Sequence, residues 1–132
     1  MQDECRGTIF IVDDDASVRK ALSRLLRSAG FEAETYLSGE HFLARHHFQG
    51  LGIILLDIQM PGLSGLAFQQ KLTQEGYHLP VIIISAHGDV STRIQAMQRG
   101  AVDFLVKPFN DRELLRAVDT AFKNVELGGR IQ

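Results

Sequence analysis

Cysteine occurs once in the 132 residues, at Cys5, so no internal disulfide can form. A chain without disulfides suits a reducing compartment, and the cytoplasm is the expected location. Cys5 itself is read as a bystander in a loose N-terminal tail. No apolar run approaches the ~20 residues that a membrane-spanning helix needs. The opening Met1-Gln2-Asp3-Glu4 lacks the basic-then-apolar pattern of a secretion signal, and no membrane partner is expected. Neither sign of charge is in surplus: 14 Lys plus Arg face 16 Asp plus Glu, a formal net charge of −2. That balance lacks the basic footprint of a nucleic-acid binder. Internal repeats, low-complexity tracts and internal linkers are missing as well. No GxGxxG or Walker-type loop follows the first apolar run, which removes the nucleotide-binding motifs that depend on one.

What is present is an ordinary globular composition, 45% apolar and 23% charged, with enough length for one domain and a real core. Short apolar runs alternate with amphipathic stretches. Ile9-Phe10-Ile11-Val12, Ile53-Ile54-Leu55-Leu56, Val81-Ile82-Ile83-Ile84 and Phe104-Leu105-Val106 read as strands covered on both faces. Glu32-Ala33-Glu34-Thr35-Tyr36 reads as a fifth strand whose charges place it at an edge. Val18, Ala21, Leu22, Leu25, Leu26 and Ala29 form one helical stripe, closed by Gly30. Leu114, Val118, Ala121, Phe122 and Val125 form another, opened by an Asn110/Glu113 capping box. Further helices are expected near 38–46, 65–75 and 89–99, with Val90, Ile94 and Met97 supporting the last. The expectation is an α/β domain over 8–126, doubly wound around a five-stranded parallel sheet with five helices. Residues 1–7 form an N-terminal tail. Leu127-Gly128-Gly129-Arg130 suggests that 127–132 are a linker stub or C-terminal tail.

Polar residues follow four of the strands. Asp13, Asp14 and Asp15 follow the first run, Asp57 the second, Ser85 the third and Lys107 the last. Working sites of open α/β sheets lie beyond the carboxyl ends of the strands, so these side chains converge. Carboxylates crowded together repel, and a divalent cation relieves the repulsion. An all-oxygen set suits Mg²⁺, with Mn²⁺ as a substitute, rather than zinc. Asp57 can act as a carboxylate nucleophile toward phosphorus. Lys107 supplies a compact positive charge and Ser85 a donor, which is the positioning and neutralisation that phosphoryl transfer asks for. Asp15 is read differently, as the N-cap of the helix that begins at Ala16. His41, His46, His47 and His78 share no metal-ligand spacing and are read as surface or loop residues.

The segments Ile11-Val12-Asp13-Asp14-Asp15, Leu56-Asp57-Ile58-Gln59-Met60-Pro61-Gly62, Ile84-Ser85-Ala86-His87 and Val106-Lys107-Pro108-Phe109 resemble, in order and spacing, those of response regulator receiver domains. The resemblance covers roughly residues 8–125. His87-Gly88-Asp89-Val90 and Gly100-Ala101-Val102-Asp103-Phe104 look more narrowly like the FixJ-type regulators of two-component systems. The resemblance implies a CheY-like, flavodoxin-like sheet of order 2-1-3-4-5. It implies Asp57 as phosphoacceptor, and a Mg²⁺ site of Asp13, Asp14, Asp57 and the backbone carbonyl of Gln59, with Asp14 the more direct ligand. Ser85 and Lys107 would contact the phosphoryl group. Phe104 takes the switch aromatic position with Ser85, although it lacks the hydroxyl that a tyrosine there would carry. Gln59 and His87 fall where the lifetime of the phosphorylated state is tuned, and the Lys107-Pro108 bond would be cis. The implied partners are a histidine kinase and, on phosphorylation, a second copy of the chain. DNA would be reached only through an output domain that these residues do not contain. The expected role is a signalling domain controlling an output such as transcription, not an enzyme with its own substrate.

The same residues argue against two rival readings. An aspartyl-nucleophile phosphatase usually carries its nucleophile after the first strand and needs a cap insertion, whereas Asp57 follows the third strand and the connections are short. A receiver-like interaction module that works without phosphorylation has no need for the complete set of Asp13, Asp14, Asp57, Ser85 and Lys107.

Overall fold

A computed structural model describes residues 7–44, 52–58, 65–76, 79–86, 90–98 and 100–131. Strands and helices alternate: β1 (Thr8–Val12), α1 (Ala16–Ser28), β2 (Glu32–Tyr36), α2 (Gly39–Leu43), β3 (Gly52–Asp57), α3 (Gly65–Gln74), β4 (Val81–Ser85), α4 (Val90–Gln98), β5 (Asp103–Val106) and α5 (Asp111–Ile131). The strands form one parallel sheet of order β2-β1-β3-β4-β5. This is the doubly wound α/β architecture expected from the alternating pattern, with the strand order that the family resemblance implied.

Side chains alternate across the strands and so divide the core in two. Ile9, Ile11, Ile53, Leu55, Ile82 and Ile84 point to one face, where Leu22 and Leu26 of α1 and Leu114, Val118 and Phe122 of α5 cover them. Phe10, Val12, Ile54, Leu56 and Ile83 point to the other face, against Phe42 of α2, Phe68 and Leu72 of α3 and Ala96 of α4. Phe42 sits edge-on to both Phe10 and Phe68, with centroids 5.4 and 5.8 Å apart. Full burial of each such side chain is worth ~1.5–3 kcal/mol. The central strands read as continuous apolar runs because they are covered on both faces.

Helix ends follow local chemistry. The Asp15 carboxylate accepts from the Ser17 and Val18 amides and from the Ser17 hydroxyl, capping α1. At its other end Gly30 has φ +97°, its amide bonds Arg27, and Phe31 bonds back to Leu26, a Schellman closure. Asn110 and Glu113 exchange side-chain to backbone bonds of 2.8 and 3.0 Å, the expected capping box of α5.

Several expectations need correction. α4 does form where Val90, Ile94 and Met97 pointed, but those three are exposed and the small Ala96 is the buried residue of that helix. Ala101, just beyond that helix, is buried in the same core as Ala96. β5 is the second edge strand, and its Val106 is exposed, not covered on both faces. α2 ends at Leu43, short of the stretch to 46. The backbone of α5 remains helical through Leu127-Gly128-Gly129-Arg130, where a linker stub or tail was expected. Extending a formed helix adds one hydrogen bond per residue, which can offset the ~1 kcal/mol propensity cost of each glycine.

Candidate functional site

The sheet register assembles the site. β1 and β3 are neighbours with Val12 paired to Leu56, so Asp13 and Asp57 emerge side by side at the carboxyl edge. The next strand brings Ile84 beside Asp57, and the last pairs Ser85 with Val106, which places Lys107 next in line. The Lys107 amide donates to the Ser85 carbonyl at 2.8 Å, and the Ile58 amide donates to the Ile84 carbonyl at 3.0 Å. The Lys107–Pro108 peptide is cis. The chain leaves β1 toward β2 on one side and returns to β3 on the other, so the acids sit at the point where the winding reverses.

One carboxylate oxygen from each of Asp13, Asp14 and Asp57 lies within 4.8 Å of the others. Asp13 and Asp57 are buried, at 2% and 6% exposure, while Asp14 faces solvent. Ser85 is 1% exposed. The Asp13 side chain has two different oxygens. Oδ1 accepts from the Asp15 amide at 2.9 Å, whereas the buried Oδ2 has no hydrogen-bond partner among the described residues. The Lys107 ammonium lies 3.6 Å from that Oδ2, too long for a hydrogen bond but close enough for attraction. Among the described residues three carboxylates therefore cluster, with the Lys107 ammonium near Asp13, and one buried oxygen of Asp13 is left without a hydrogen bond. An unsatisfied buried acceptor costs free energy unless something else fills its valence. An oxygen-only donor set with that vacancy fits a hard divalent cation such as Mg²⁺.

Asp15 stands outside this cluster, since its carboxylate is turned to the first turn of α1. Its pKa is lowered, first by the Ser17 hydroxyl and then by the Ser17 and Val18 amides. Phe104 is buried on the α2/α3/α4 face of the sheet, with the Arg93 guanidinium 5.9 Å from its ring centroid. Gln59 and His87 lie outside the described residues, as do His46, His47, His78 and Cys5. His41 caps nothing metallic among the described residues: it packs on the Tyr36 ring at 5.2 Å and lies 3.4 Å from the Leu37 amide, which donates to its Nδ1.

Reading the sequence passed over Arg19. Its Nη1 donates to the Asp13 backbone carbonyl at 2.6 Å. The signal was present, an arginine one helical turn inside α1, since helical side chains lean toward the N-terminus of their helix.

Fold and site together define a doubly wound domain with an acidic, cation-suited pocket flanked by a hydroxyl and an ammonium. The profile of the response regulator receiver domain family matches residues 9–119. Nodulation protein W of Bradyrhizobium diazoefficiens is 42% identical over 116 residues, covering 88% of this chain and 51% of that protein. The response regulator protein TodT of Pseudomonas putida F1 is 44% identical over 117 residues, 89% of this chain and 52% of that protein. The crystal structure of FixJ-N superposes with a TM-score of 0.79 at 38% identity, covering 93% of this chain and 96% of that one. The chain belongs to the response regulator receiver domain family of two-component systems, and it spans about half the length of the curated relatives it matches. Its acidic cluster Asp13, Asp14 and Asp57 lies at the pocket where receiver domains generally bind Mg²⁺. It is a signalling domain rather than a conventional enzyme. No helix among the described residues is long and apolar enough to cross a membrane.

Proposed function

We propose that Asp57 accepts a phosphoryl group from a histidine kinase, with Mg²⁺ held by Asp13, Asp14, Asp57 and the backbone carbonyl of Gln59. The observation that carries this reading is the buried Asp13 Oδ2, without a hydrogen-bond partner among the described residues, in a cluster with two further carboxylates and Lys107. A divalent cation there would offset the clustered negative charge and that of the arriving phosphoryl group. A carboxylate oxygen of Asp57 attacks phosphorus of the kinase phosphohistidine. The O–P bond forms as the P–N bond breaks, and the imidazole leaves with the electron pair and takes up a proton. Lys107 pairs with a phosphoryl oxygen, and Ser85 donates its hydroxyl to another.

The added charge is then read as a change of shape. Ser85 moves toward the phosphoryl group, and Phe104, on the neighbouring β5 beside Ile83, turns into the space released. α4 and β5 shift with them, and a second copy of the chain docks on that face. Gln59 and His87 tune how long the aspartyl phosphate lasts. The protein works in the cytoplasm, and its output is control of transcription through a domain beyond this chain.

The test is intact mass after acetyl phosphate and Mg²⁺. Wild type should gain one phosphoryl group and Asp57→Asn none. Equal labelling of the two proteins would remove Asp57 from the mechanism. Labelling that survives excess chelator would remove the metal.

A further inference from the structure

The carbonyl oxygen of Asp13 is where the backbone of the acidic pair is tied down. Arg19 Nη1 donates to it at 2.6 Å in a part-buried bond, charge-assisted and so stronger than a neutral one. The reach follows from α1. Asp15 is the N-cap, the Arg19 amide closes the first helical turn onto the Asp15 carbonyl at 3.1 Å, and the side chain runs back over that turn. The rest of Asp13 is held too. Its amide donates to the Tyr36 carbonyl at 3.1 Å, and Oδ1 accepts from the Asp15 amide at 2.9 Å. Oδ2 is left 3.6 Å from the Lys107 ammonium and without a hydrogen-bond partner among the described residues.

The carbonyl that Arg19 grips shares one rigid plane with the amide and Cα of Asp14. Fixing that oxygen therefore fixes the base from which the Asp14 carboxylate projects, as well as the backbone torsion that aims Asp13. One guanidinium thus sets two of the three carboxylates. We infer that Arg19 is a positioning residue of the cation site, holding the Asp13–Asp14 peptide so that both acids converge with Asp57. The inference rests on the reading of that cluster as a Mg²⁺ site.

The sign of the effect separates positioning from mere proximity. A cation near a divalent cation repels it, so charge alone predicts that removing Arg19 tightens Mg²⁺ binding. Positioning predicts the reverse. Lys20, beside Arg19 on α1, carries the same charge and serves as the control.

The experiment is a Mg²⁺ titration without phosphodonor, followed by backbone amide chemical shifts, on wild type, Arg19→Gln, Arg19→Lys, Lys20→Gln and Asp14→Ala. Arg19→Gln should raise the Mg²⁺ dissociation constant about tenfold, the scale on which supports of metal ligands act. Arg19→Lys, which keeps the charge and a donor, should lie between it and wild type, and it preserves the test if the Gln variant does not fold. Lys20→Gln should bind as wild type does. In acetyl phosphate labelling, the half-saturating Mg²⁺ concentration of Arg19→Gln should rise by the same factor while the rate at saturating Mg²⁺ falls much less. A folded Arg19→Gln that binds Mg²⁺ as tightly as wild type, or more tightly, overturns the inference. A wild type that shows no Mg²⁺-dependent shifts at Asp13, Asp14 and Asp57 overturns the metal site itself, and this inference with it.

Discussion

Asp13, Asp14 and Asp15 are the same side chain three times in a row, and the backbone gives each a different environment. Asp13 is the last residue before the chain turns out of the sheet, so its carboxylate is buried at the strand edge. Asp14 projects from the turn toward the same cluster but stays exposed. Asp15 has extended backbone angles and gives its carboxylate to the α1 amides. Asp14→Ala should accordingly abolish Mg²⁺-dependent labelling of Asp57, whereas Asp15→Ala should leave labelling intact and lower the melting temperature by a few degrees. Loss of labelling in both variants would show that the two carboxylates are not separated as argued. The cap also has a pH signature. The Ser17 hydroxyl and the Ser17 and Val18 amides favour ionised Asp15, so its folded pKa lies below its ordinary value. A depressed folded pKa means the cap contributes fully above the ordinary carboxylate pKa and is lost as pH falls through the folded one. Acid unfolding of wild type and Asp15→Ala should therefore converge at low pH and differ near neutrality. This separation of roles was legible in the sequence, because Asp15 stands immediately before the helical stripe. Arg19 was not, because its bond is to a backbone carbonyl, and no pattern of side-chain types announces such an acceptor.

At the scale of elements, the central strands were the most legible part of the chain. A run such as Ile53-Ile54-Leu55-Leu56 is apolar at each position only when both faces of the sheet are covered, as they are here. The stripe Val90, Ile94, Met97 located α4 but not its buried face, for a physical reason. Helical spacing shows that three residues share a face, but not which way the face points. The decision falls to Ala96, whose small side chain lets α4 approach β5 and the sheet closely. α4 ends at Gln98, and beyond it Gly100 has φ +98°, with its amide on the Met97 carbonyl at 3.0 Å and the Ala101 amide on Ala96 at 3.1 Å. A Cβ on Gly100 would meet no atom within 4 Å, so any penalty is conformational rather than steric crowding by neighbours. Gly100→Ala should destabilise the domain by ~1–2 kcal/mol through that positive φ. Urea unfolding measures it, and a midpoint equal to wild type would mean that the turn has an alternative geometry open to alanine. The site was legible as far as strand ends could carry it. Asp57, Ser85 and Lys107 each follow an apolar run, and parallel register alone then lines them up.

At the scale of the whole molecule, the pocket and the exposed apolar strip lie along the same strands. Val90, at 72% exposure, Ile94 and Met97 run down one side of α4, and Val106 is exposed on β5, the free edge of the sheet. β4 joins the two regions, because Ser85 at its carboxyl end is beside Val106 in register, while Ile83 is beside Phe104. A phosphoryl group on Asp57 that drew Ser85 toward it would therefore act on β4, whose neighbour β5 carries Phe104 and packs against α4. Closed association through one shared patch makes a two-fold dimer the simplest outcome, with the α4–β5 face meeting itself. A ligand shifts such an equilibrium only by its differential affinity for the two states, so the effect must appear as a change in the dimer constant and not merely as a dimer. Sedimentation of unmodified and beryllofluoride-treated protein should show the dissociation constant falling at least about tenfold on treatment, equivalent to ~1.4 kcal/mol. Ile94→Asp, which places a charge in the centre of the strip, should hold the treated protein monomeric while leaving Asp57 labelling by acetyl phosphate unchanged. If wild type remains a monomer at micromolar concentration in both states, the strip serves another contact and the dimer is excluded. If Ile94→Asp loses labelling together with dimerisation, the face and the pocket are one cooperative unit, not a switch and its readout.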